Sequence, residues 1–132
     1  MAERRIVNPW TWQDSRGFVQ ANETRGAERV LYCAGVISVD DDGQLLHEGD
    51  MGAQAMRALD NLETILRQAD CGLADVVRLT IYTTDMDTYL GVAPGVRTRL
   101  AAAGCRPAST LLGVARLAMP QLMIELEATA VK

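Results

Sequence analysis

The chain has 132 residues, 48% hydrophobic and 23% charged, a composition that predicts one ordinary folded domain over residues 1–132 rather than a disordered segment. Asp and Glu outnumber Lys and Arg, 17 against 13, for a net charge of −4, so no overall positive field is available to hold a polyanion and nucleic-acid binding is not expected. One histidine, His47, and one lysine, Lys132 at the C-terminus, exclude a two-histidine metal site and argue against Schiff-base catalysis.

Residues 1–16 read as an N-terminal arm containing Trp10 and Trp12, either lying over a cleft or anchoring the arm. Residues 17–23 alternate in polarity, residues 24–27 are turn-like, and residues 28–35 are rich in Val, Leu, Tyr and Cys, which together predict a β-hairpin. Asp40-Asp41-Asp42-Gly43 marks a turn, followed by a polar loop through His47. Asp50 then caps a helix whose apolar positions Ala55, Met56, Leu59, Leu62, Ile65, Leu66 and Ala69 recur at three- and four-residue steps, with Gly72 as its left-handed stop. Residues 76–83 switch to period two and predict a strand.

Tyr89, Ala93, Val96, Leu100 and Ala103 form the seam of a second helix ending near Gly104. Pro94 places its regular start near Ala93, because proline suits a first turn and costs about 3 kcal/mol in a helix interior. Residues 108–115 and 122–131 complete the strands. The order ββαβαββ predicts an α+β fold, a mainly antiparallel sheet with two helices on one face. Along the last strand Leu122, Ile124, Leu126, Ala128 and Ala130 point to the helices, while Met123, Glu125, Glu127, Thr129 and Val131 point away. Ser109, Leu111 and Gly113 are expected to share that second face, which, apolar and dotted with acids, predicts self-association through the sheet.

Several strings occur together over residues 17–131: Tyr32-Cys33-Ala34-Gly35, Gly49-Asp50 with Gln54 opening a helix, Ala58-Leu59-Asp60-Asn61-Leu62, Arg106-Pro107-Ala108-Ser109-Thr110, Val114-Ala115-Arg116-Leu117, and Ile124-Glu125-Leu126-Glu127-Ala128-Thr129-Ala130-Val131. With them the chain resembles the Rid (reactive intermediate deaminase, YjgF-like) family. The resemblance implies a chorismate-mutase-like homotrimer with clefts between subunits. In its best-known branch it implies hydrolysis of small enamine or imine acids to 2-oxo acids and ammonia, without a metal or organic cofactor. That branch carries an arginine directly after the Pro-Ala pair to grip the substrate carboxylate. Here the position is Ser109, whose hydroxyl offers neither fork nor charge. Phe18 replaces a tyrosine, Val36 a glutamine and Ala93 an asparagine of that pattern, so a more apolar pocket is expected.

The matched acid is Glu125, the candidate catalytic residue, since desolvation in a cleft raises a carboxyl toward neutrality; a carboxylate on an interface strand also serves by pairing with arginine. Phe18, Gly35, Ser109, Thr110 and Arg116 are the candidate substrate-binding residues, Gly35 because its backbone admits close approach and Arg116 as a substitute cation. Glu127, two residues from Glu125, reads as an ion-pair or interface residue. Cys33, Cys71 and Cys105 are too few and scattered for a zinc knuckle or disulfide framework, and with no apolar leader or spanning stretch a cytoplasmic protein is expected. Three functions follow: a small-metabolite hydrolase acting on a reactive enamine or imine, a non-catalytic ligand-binding or interaction trimer, and, against the net charge, an endoribonuclease.

Overall fold

The computed structural model describes residues 2–132. Two helices carry most of the core. In α1 (Met51–Gln68) the Asp50 side chain accepts a hydrogen bond from the Ala53 amide at 3.0 Å, satisfying an otherwise free first-turn donor. The three- and four-residue spacing then puts Ala55, Ala58, Leu59, Leu62 and Leu66 on one fully buried face. The left-handed residue after this helix is Asp70, φ 56°, and not Gly72, whose φ of −131° is extended. Asp tolerates that conformation better than most side chains, and its position lets the Cys71 amide close on the Leu66 carbonyl at 2.8 Å.

The second helix, α2, spans Met86–Ala102, a full turn and more upstream of the start expected near Ala93. Asp85 caps it by accepting bonds from the Thr88 amide at 3.1 Å and hydroxyl at 2.7 Å. Pro94 sits inside on the exposed side, as does Leu90, whose carbonyl loses its helical partner there. Tyr89, Ala93, Val96 and Leu100 form the buried seam.

The strands are β1 (Glu3–Val7), β2 (Ala21–Arg25), β3 (Val30–Tyr32), β4 (Val76–Thr83), β5 (Ala108–Gly113) and β6 (Ile124–Val131). The main sheet has the order β3-β6-β4-β5, antiparallel except for the parallel β4–β5 pair. Both helices cover one face, packing on Leu79, Ile81, Ile124, Leu126, Ala128 and Ala130. The expected hairpin between residues 17–23 and 28–35 does not form. Instead β2 pairs with β1, from the segment read as an arm, while β3 pairs with β6. Side chains explain the choice. The Arg4 guanidinium donates to Asn22 Oδ1 at 2.9 Å and to the Ala74 carbonyl at 3.0 Å, and Asn22 Nδ2 donates to the Val77 carbonyl at 2.9 Å, so the β1–β2 ribbon is pinned to the start of β4.

Candidate functional site

The register of the parallel pair decides which candidate residues can meet. Ser109 lies opposite Leu79 and Leu111 opposite Ile81, both residues of the helix-covered face. Ser109, Leu111 and Gly113 therefore face the helices, and it is Thr110 and Leu112 that share the open face with Glu125 and Glu127. Adjacent leucines at 111 and 112 left the alternation of β5 without a sign.

On the helix side, a cavity of about 400 Å³ opens between α2, the edge strand β5 and the segment leading into β2. Ser109 and Phe18 line it with Trp12, Tyr89 and Ala93. The Val19 amide donates to the Pro107 carbonyl at 3.0 Å, which fixes Phe18 beside β5, and the rings of Trp12 and Phe18 meet edge to face at 5.9 Å. Two cations that the sequence did not single out, Arg16 and Arg97, line the same cavity. Nothing distinguishes them in the sequence from the other ten arginines.

On the open face, the Glu125 carboxylate lies across the backbone of Gly35. A Cβ at Gly35 would stand 2.5 Å from Glu125 Oε2, so only glycine accommodates this placement. Burial raises the Glu125 carboxyl above its ordinary value, with the charge of Glu127 adding to the shift. Tyr82, opposite Glu125 in the β4–β6 register, donates instead to Glu127 Oε1 at 3.0 Å, and this bond raises the phenol. Thr110 accepts from Arg78 at 2.7 Å and lines both the helix-side cavity and a second one, of about 390 Å³, on the open face. The β5 edge is thus the rim between the two.

Within one chain Phe18 and Ser109 stand apart from Gly35 and Glu125. They occupy opposite faces, and β5 and β6 are separated by β4, about 10 Å at the usual strand spacing. Arg116 is exposed in the 114–123 loop and lines neither cavity. His47 is exposed in its loop, and burial pushes the Cys105 thiol up to about 11, far from nucleophilic at neutral pH. Among the described residues no group of three His, Cys, Asp or Glu side chains is placed to hold a metal ion, and no helix is long and apolar enough to cross a membrane.

Residues 13–132 match the sequence profile of a family described as Endoribonuclease L-PSP. The chain is 33% identical over 109 residues to the RutC family protein UK114 of Drosophila melanogaster, covering 83% of this chain and 77% of that protein. The crystal structure of YyfB, a Rid family protein of Yersinia pestis, superposes with a TM-score of 0.86 at 34% identity, covering 98% of each chain. That of the Escherichia coli YjgF gene product does so with a TM-score of 0.70 at 28% identity, covering 87% of each.

Proposed function

Since the chain belongs to the Rid family, the group of YjgF, RutC and L-PSP proteins, we propose that it binds a small metabolite in a cleft between copies and hydrolyses a reactive enamine or imine with water and Glu125. One copy supplies the wall bearing Phe18 and Ser109, and its neighbour supplies Gly35 and Glu125 across the β5 rim. Thr110 stands on that rim.

The observation that carries this reading is the Glu125 carboxylate laid over Gly35, raised by burial and accepting no hydrogen bond from a described residue. A carboxyl poised closer to neutrality serves both directions of proton transfer. Protonated, it delivers its proton to the enamine carbon; as carboxylate, it takes a proton from the water that attacks the resulting C=N carbon. The tetrahedral adduct then expels ammonia and leaves a carbonyl. Ser109 holds a polar end of the substrate with a single neutral hydrogen bond, so ordinary 2-imino acids that depend on a strand arginine are not the expected substrates.

Mixing purified protein with freshly generated 2-aminoacrylate and with N-unsubstituted imines of bulkier apolar body tests the chemistry. Faster loss of a bulky imine than in buffer, abolished by Glu125→Gln, is expected. Binding with no acceleration of any of them overturns catalysis in favour of a ligand-binding trimer.

A further inference from the structure

Resting on the cleft proposed above, we infer that its helix-side cavity selects a monocarboxylate with a bulky apolar body, gripped by Arg97 with Arg16 beside it rather than from the β5 strand. The cavity wall is mostly apolar, Leu79, Ile81, Val96 and Leu100 among it, and includes no Asp or Glu. Its charge comes from two guanidinium groups, and neither forms an ion pair with a carboxylate among the described residues. Arg99, on the same helix, shows the contrast: it is held by Asp60 at 2.6 Å and Glu63 at 3.3 Å. Cations lining an apolar cavity without a protein counter-charge favour an anion supplied from outside.

The Arg97 stem packs closely over Gly17. Its Cγ would lie 3.1 Å from a Cβ on Gly17, and Gly17 has φ 75°, so glycine both makes the turn and leaves room for the arginine stem. Burial raises the Tyr89 phenol, which lines the same cavity, and the charge of Arg97 works against that shift. Arg16 lies over the Trp12 ring, 5.9 Å from the centroid, a loose contact that keeps the group at the mouth without neutralising it. Asp14 lines the adjoining cavity with Arg97 but lies outside ion-pair distance. The planar fork of a guanidinium matches the two oxygens of a carboxylate, and a phenyl or branched aliphatic body fills the apolar remainder.

Calorimetric titration of the purified protein with phenylacetate, phenylacetamide and acetate separates charge from body. Phenylacetate is expected to bind about tenfold or more tightly than either of the others, the ratio set by one charge-assisted bond pair. Arg97→Gln is expected to bring phenylacetate down to the level of the amide and to leave the amide unchanged. Arg97→Lys, which keeps the charge without the fork, is expected to lower the preference several-fold and serves if the glutamine variant does not fold. Equal affinity for acid and amide, no binding of phenylacetate, or an undiminished preference in these variants overturns the inference. In the parent protein, intact discrimination of phenylacetate with no acceleration of imine loss sinks the proposed hydrolysis alone, and retained catalysis without discrimination sinks this inference alone.

Discussion

Gly35 and Glu125, ninety residues apart in the chain, are interlocked: the carboxylate occupies the space that any other side chain at position 35 would need, with Oε2 2.5 Å and Cδ 2.7 Å from the position of a Cβ. The group in the way is the end of a flexible side chain, so Gly35→Ala displaces it without breaking the backbone. Thermal melting of Gly35→Ala is therefore expected within a few degrees of the parent. Turnover of the imine substrate should fall by about 10- to 100-fold, the scale on which small misplacements of a catalytic group are felt. Equal turnover in the two proteins would separate Glu125 from the chemistry.

The same carboxyl gives a pH signature. Its value in the folded protein is raised by burial, so the folded state holds the proton more tightly than the unfolded chain. The stabilising contribution of the protonated group is fully present below the ordinary glutamate value and is lost as pH rises through the raised one. Glu125→Gln, neutral at every pH, escapes that loss. The melting temperature of the variant minus that of the parent is expected to become more positive between about pH 4 and about pH 7. A difference that is flat or of the opposite sign contradicts the desolvated placement of Glu125.

How far the sequence disclosed these features depended on whether a signal was local. The buried face of α1 was legible because Ala55, Leu59, Leu62 and Leu66 repeat at helical spacing behind an Asp cap, although Ile65, expected with them, is exposed; the alternation of β6 put Glu125 on the correct face. The partner of β2 was not legible. Residues 3–7 carry little alternation, and their pairing rests on Arg4 and Asn22 reaching backbone carbonyls more than fifty residues away. The inward direction of Ser109 is a consequence of register with Leu79, a non-local fact. The start of α2 was displaced by giving Pro94 more weight than the Asp85 cap, although an exposed helix side lets water take the freed carbonyl. The role assigned to Arg97 depends on contact with Gly17, which no spacing announces.

The open face also leaves Tyr32 80% exposed, with Val30 and Leu112 exposed on the same side of the sheet. An uncovered apolar sheet face fits the proposed association of copies. Tyr32→Asp places a charge on that face without touching the helix-side core. In analytical ultracentrifugation the parent is expected to sediment as a trimer and Tyr32→Asp as a monomer with an unchanged far-ultraviolet circular dichroism spectrum. Imine turnover should be lost with the assembly, because one chain keeps Ser109 and Glu125 on opposite faces. A monomeric parent with full turnover would remove the shared cleft.

Placement of Glu125 depends on one further buried group. Gln54 on α1 is fully buried, and its amide donates to the carbonyls of His47 at 3.2 Å and Gln121 at 3.0 Å while accepting from the Met123 amide at 2.9 Å. It thereby ties the loop after Gly43 and the approach to β6 to one helix, two residues before Glu125. Replacing Gln54 by leucine keeps similar volume but strands these backbone groups, at a cost of about 2–3 kcal/mol. Chemical denaturation of Gln54→Leu is expected to show that loss with an unchanged denaturant slope. Gln54→Glu, able to accept from Met123 but not to donate to the two carbonyls while ionised, is expected to be more stable at low pH than at neutral pH relative to the parent, since protonation restores one donor. If both variants melt with the parent, the Gln54 bonds do not anchor the strand that carries Glu125.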